Sequence, residues 1–163
     1  MHSFKQVAAI LSVLLLFSVV SFAGDNSQIK SAVPKTAAAT KAPKGNDTLI
    51  VLARLTEIPG TFPSNDLYNY VFIMKYRVIK VLKGKYAKQE ILVGHYNPLI
   101  PRGQIKDRMR SLAGGTVAKF ETGARQKLTL IAPIDRVWKN EVEDNYPDSD
   151  FEKFYALKAE IAR

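Results

Sequence analysis

Tyr70-Val71-Phe72-Ile73-Met74-Lys75-Tyr76-Arg77-Val78-Ile79-Lys80-Val81-Leu82 decides the fold of this chain. The stretch is rich in β-branched and aromatic residues and predicts one long strand. Its alternation shifts midway. Met74, Tyr76 and Val78 share one face, with Lys75 and Arg77 opposite, and then Ile79 and Val81 take the other parity, opposite Lys80. A strand that swaps faces in mid-course bends or bulges, as barrel strands must.

The neighbours fit that reading. Thr48 to Ile58 predicts a first strand, closed by Pro59-Gly60, and residues 61–69 form a loop. Lys83-Gly84-Lys85-Tyr86 makes a turn into a third strand, Glu90 to Tyr96, which Asn97-Pro98 ends. Gln104 to Leu112 predicts a short helix, because Ile105, Met109 and Leu112 are spaced for one face. Gly114-Gly115 stops it, and Val117 to Phe120 is a short strand. Glu121-Thr122-Gly123 turns the chain into a strand within Gln126 to Trp138, with Pro133 at an edge or bulge. Ser149 followed by Glu152 reads as a capping box. Phe151, Phe154, Tyr155, Leu157 and Ile161 then follow near helical spacing and predict a C-terminal helix. The expected fold is mainly β: an OB-like five-stranded barrel with a short internal helix and a C-terminal helix.

Upstream, Met1 to Ala23 has the order of a secretory signal: Lys5 in a polar start, an uncharged apolar run from Val7 to Val20, and Ser21-Phe22-Ala23. The expectation is a periplasmic or secreted protein beginning near Gly24. The alternative is a retained anchor, the only membrane contact expected, although the 17 residues from Val7 to Ala23 fall short of the about 20 that a spanning helix needs. Residues 24–47 are rich in Ala, Lys, Thr and Pro with no aromatic, the composition of a disordered linker. Residues 48–163 then form one domain. There is no cysteine. Disulfides and thiolate metal sites are excluded, and the chain reads as a bacterial envelope protein held by an ordinary core.

Of the 24 Lys and Arg, only Lys5 lies in the leader, so the remainder has 23 bases against 15 acids, net +8. Such charge favours anionic partners. Outside the cytoplasm, nucleic acid falls to the bottom of that list. Ten bases lie between Lys75 and Arg110 against only Glu90 and Asp107. On a barrel, a basic face with aromatic platforms suits oligosaccharide. Lys75, Arg77, Lys83, Lys85, Arg102, Arg108 and Arg110 are the candidate anion contacts, and Tyr86 and Tyr96 the candidate stacking platforms. The plainer alternative is lysines that keep strand edges soluble.

The residues around the turns carry a resemblance. Tyr76-Arg77-Val78-Ile79-Lys80-Val81-Leu82-Lys83-Gly84 with Ile91-Leu92-Val93, and Phe120-Glu121-Thr122-Gly123 ahead of Leu128-Thr129-Leu130, resemble OB-fold modules of the tissue-inhibitor-of-metalloprotease (netrin-like) type in bacterial envelope proteins. The resemblance spans roughly residues 48–147 at the level of pattern. It implies a fold and a setting near acetyltransferase and SGNH-type proteins that modify surface polysaccharide. It does not imply protease inhibition, since the animal inhibitors use an N-terminal cysteine that this chain lacks.

The expected function is therefore a non-catalytic exported module that binds an anionic envelope glycan or an envelope protein. The rival is an enzyme, or an accessory subunit, acting on surface polysaccharide around His95, the sole histidine after the leader. A third reading is a purely structural envelope protein. No Gly-x-Ser-x-Gly elbow is present. A Ser64-His95-Asp66 set has nothing in the sequence to favour it. Glu141, Glu143, Asp144, Asp148 and Asp150 read as a solvated acidic stretch, and no cofactor or metal is expected.

Overall fold

The computed structural model describes residues 48–163. The expected leader and linker, residues 1–47, lie outside the described residues. The described chain is mainly β, with seven strands: β1 (Leu49–Glu57), β2 (Val71–Lys83), β3 (Glu90–Tyr96), β4 (Gly114–Gly115), β5 (Arg125–Ile131), β6 (Val142–Glu143) and β7 (Lys153–Ile161). The three N-terminal strands lie where the alternation places them.

Pairing runs β1-β5-β7-β3-β2, and β2 also pairs with β1, so the path returns to its start. The β3–β7 pairing is parallel, while β1–β2, β2–β3, β1–β5 and β5–β7 are antiparallel. The short β6 runs parallel to the start of β2, and β4 parallel to β7. The face swap in β2 is resolved by bulges. Val51 pairs with Val81 and Ile50 with Lys83, which skips Leu82, while Leu52 pairs with Lys80 and Ala53 with Val78, which skips Ile79. Tyr76, Val78 and Val81 thus all reach one core, and the skipped Ile79 and Leu82 are each 47 % exposed.

Two cores result. Val51, Ala53, Leu55, Phe72, Met74, Tyr76, Ile91, Val93, Leu128, Leu130, Phe154 and Ala156 pack on one side of the strands. On the other side Val71, Ile73, Leu92, Tyr96, Ile131 and Tyr155 lie under Ile105, Met109, Leu112, Ile134, Val137 and Trp138 from the connecting segments. The first half of β2 is therefore buried on both faces. Among the described residues, the outer face of β5, β1 and the second half of β2 has no such cover.

Both expected helices are corrected. The C-terminal segment is strand β7. Phe154 and Ala156 face the first core, Tyr155 and Leu157 the second, and the register slips so that Thr129 pairs with Lys158 but Leu130 with Ala156. That extra residue, Leu157, brings Ala159 back inward and breaks the two-residue period into something close to a helical one. Ser149 does cap, but it caps a turn: its Oγ accepts the Phe151 N–H at 3.2 Å. The internal helix expected over Gln104 to Leu112 is not formed: a 3-10 turn, Arg102–Gln104, ends where it would begin, and turns follow in which the N–H of Arg110 bonds Asp107 O and that of Leu112 bonds Met109 O. Ile105, Met109 and Leu112 are buried together as their spacing implied. The expected strand at Val117 to Phe120 is absent, and Gly114-Gly115 pairs with β7 instead.

Gly115 explains that shift. Its φ is +130°, and a Cβ there would lie 1.9 Å from the Ala159 carbonyl oxygen, which accepts the N–H groups of Thr116 and Val117. No side chain fits between these backbones. Gly115→Ala combines left-handed strain with overpacking and should cost roughly 3 kcal/mol. Urea unfolding of that variant checks it, with Gly60→Ala, which meets no neighbouring atom, isolating the cost of positive φ alone.

Candidate functional site

His95 is 1 % exposed, at the end of β3. Its ring lies 4.5 Å from that of Phe120 and 5.6 Å from that of Tyr76. The Tyr76 hydroxyl donates to Gln126 Oε1 at 3.1 Å and sits 2.9 Å from His95 Nε2. A hydroxyl carries one proton. With that proton directed at Gln126, Nε2–H donates to Tyr76 and Nδ1 is left as a lone pair, the tautomer this hydrogen-bond pattern assigns. Nδ1 has no partner and is buried. A second proton would enter a dry site with no acceptor, facing the positive Arg102. Burial first, and Arg102 second, hold the His95 pKa well below its usual value.

Ser64 and Asp66 bond each other in an exposed loop, Oγ to Oδ2 at 3.1 Å, away from the buried ring. His95 thus has the geometry of a core histidine, with no carboxylate beside it and no face open to a substrate. The acidic stretch is likewise structural: Glu143 accepts the Tyr68 hydroxyl at 2.5 Å, and Asp144 accepts Lys153 Nζ and the Tyr146 N–H. Among the described residues no group of three or more His, Cys, Asp or Glu could hold a metal ion, and no helix is long and apolar enough to cross a membrane. A groove of about 440 Å³ near β6 is lined by Pro133, Ile134, Trp138 and Val142 together with Asp135, Lys139, Asn140 and Lys153.

Arg102, chosen from its basic run, is 4 % exposed. Its Nη1 donates to Tyr96 O at 2.6 Å, and Nη2 to Asn97 O at 2.6 Å and Ile100 O at 2.7 Å. Its guanidinium carbon lies 5.4 Å from the Phe120 ring. Burial lowers its pKa to about 10, so it remains charged at neutral pH. Tyr96 is buried as well, donating to Asp107 Oδ2 at 2.5 Å and packing edge-on against Trp138. Tyr86 is half-buried, its hydroxyl on Glu90 O at 2.6 Å and its ring edge-on to Phe154. Arg102 and Tyr96 are thus buried, while Tyr86 keeps part of its surface exposed.

The other candidates divide. Lys75 Nζ is held by Glu57 at 2.8 Å, and that bond keeps the Glu57 carboxyl below its usual pKa. Lys83 donates to Thr48 Oγ1 at 3.4 Å on the bare side, and Lys85 is exposed in the following turn. Arg108 and Arg110 are exposed on the segment that covers the second core. Arg77 is exposed on β2 and has company the linear sequence hides: it pairs with Arg54 on β1, which pairs with Arg125 on β5. The next row outward-facing along these strands is Lys80, Leu52 and Lys127. Lys127 is bound to Glu160 at 3.1 Å. Arg54, Arg77 and Arg125 form no ion pair among the described residues.

The uncovered outer face of β5, β1 and β2 is thus a row of three exposed arginines on adjacent strands, backed by Lys80, Lys83 and Lys127. Compared with protein-family models, with curated proteins and with solved structures, the chain finds no match.

Two measurements check the buried groups. The native His95 pKa lies below the 6.5 of the free group, so the unfolded state alone takes up a proton as pH falls past 6.5. Stability should then drop by up to about 1.4 kcal/mol per pH unit between pH 6.5 and 5, and His95→Gln should flatten that slope. Arg102→Lys keeps the charge but cannot reach three carbonyls as a planar fork, and should lose about 3 kcal/mol in urea unfolding.

Proposed function

We propose that this chain is an exported, non-catalytic module of the bacterial cell envelope that holds an anionic polysaccharide on the outer face of β5, β1 and β2. The observation that carries the reading is the Arg125–Arg54–Arg77 row, three like charges side by side that form no ion pair among the described residues, with Glu90 opposite Arg77 at the end of the row. Like charges directly opposite one another across a sheet destabilise it. An occupant supplying negative charge removes that cost. The closed pairing order, with its parallel β3–β7 step, suits an OB-like barrel and keeps the chain near the netrin-like envelope modules it resembles. The leader and the excess of basic residues support export and an acidic polymer.

The reading separates from a purely structural one by a pair of opposed effects. Arg54→Gln should weaken retention on an acidic-glycan column while raising stability by about 0.5 kcal/mol, because it relieves repulsion on both sides. Reversal of Arg54, Arg77 and Arg125 to Glu should abolish retention, whereas reversal of Arg108 and Arg110 should leave most of it. Retention unchanged by the triple reversal overturns the proposal.

A further inference from the structure

The row also carries a spacing. Neighbouring strands lie about 4.8 Å apart, and Arg125, Arg54 and Arg77 occupy one pairing line across three of them. The line runs perpendicular to the strands, and each guanidinium is a planar fork that matches a carboxylate with two parallel hydrogen bonds. The strand separation is close to the length of one pyranose unit. Glu90, opposite Arg77 on β3, ends the line with a negative charge. A chain laid along the row therefore meets cation, cation, cation and then a repelling carboxylate.

We infer that the occupant is a polyuronate, a polysaccharide with a carboxylate on every sugar, crossing β5, β1 and β2 at about one sugar per strand. The inference rests on the binding reading above and narrows it to one substrate class. Ile79 and Leu82, exposed at the bulges of β2, and Leu52, between Lys80 and Lys127, add an aliphatic strip beside the row. Sugar C–H faces pack against such a strip without an aromatic platform, which the buried Tyr96 does not supply. A polymer with one carboxylate per disaccharide meets only alternate strands and leaves at least one arginine of the row unpaired.

The test uses the purified full chain at fixed ionic strength, since exposed pairs are screened by salt. Calorimetry compares polygalacturonate with hyaluronate, which carries one carboxylate per disaccharide, at equal carboxylate concentration, and with vesicles of phosphatidylglycerol. Polygalacturonate should bind at least about tenfold tighter than hyaluronate. Arg54→Gln, which removes the middle of the row, should bring the two within about twofold, while Lys127→Gln, off the row, should keep the preference. Equal binding to the two polymers overturns the spacing and leaves the anionic-glycan reading standing. Tighter binding to the vesicles overturns both in favour of a lipid surface. Binding to none of the three overturns both outright.

Discussion

Strand β2 is the constraint from which the rest of this structure follows. One strand must serve two environments, buried on both faces at its start and on only one further along. A regular strand cannot do this while keeping Tyr76, Val78 and Val81 on a single core, because their spacing breaks the two-residue period. The skipped pairings at Ile79 and Leu82 let it. Each bulge adds local twist, so the same residues that correct the parity also coil β2 enough to pair with β3 along its first half and with β1 along its second. Closure of the pairing path, the covered second core and the bare basic face all depend on that division.

The buried polar groups sit where the division is sharpest. As β3 ends, Asn97 turns the chain with φ +36°, its N–H donating to Tyr70 O and its Oδ1 accepting the Tyr70 N–H, both at 3.0 Å. Those bonds tie the exit of β3 to the entry of β2. Arg102 then gathers the carbonyls of Tyr96, Asn97 and Ile100 under one guanidinium. A buried cation without a carboxylate is costly. Three charge-assisted hydrogen bonds and the face of Phe120 offset part of that cost, and the neutral tautomer of His95 keeps a second positive charge out of the same region. The cluster resembles a functional site in composition; most of its groups are directed at backbone and at each other, while His95 Nδ1, Arg102 Nε and the Tyr155 hydroxyl are buried without a hydrogen-bond partner.

How much of this was legible in the sequence depended on the range of the interactions involved. The first three strands were readable because alternation and the breaker residues Pro59, Gly60, Gly84 and Pro98 are local signals. Strand β7 was not, because one bulged residue, Leu157, turns a period of two into a pattern close to helical spacing, and the serine that caps its preceding turn looks the same as a helix cap. Gly114-Gly115 reads as a helix stop until the Ala159 backbone is seen against Gly115, 44 residues away in sequence. The candidate site suffered most. Arg102 and Tyr96 were grouped with surface residues because they lie in a basic run, and burial is decided by distant segments. Arg54 and Arg125 were missed because 71 residues separate them, yet pairing makes them neighbours. No local pattern carries that information, although the exposed, outward parity of each within its own strand is visible.

The location of the arginine row has a physical logic of its own. Connecting segments roof the outer side of β3, β7 and the start of β2 with Ile105, Met109, Leu112 and Trp138. No described segment roofs the opposite outer side, and strands facing water need charge to avoid edge and face association. Lysines alternating with glutamates would meet that need without repulsion, as Lys127, Glu160 and Lys158 already do nearby. Three arginines on one line are a different solution, less stable than mixed charge and better suited to planar anions. Solubility alone accounts for an uncovered polar face. It does not by itself account for a face that sets three arginines on adjacent strands before Glu90 ends the line, and the anionic occupant proposed above would account for that excess.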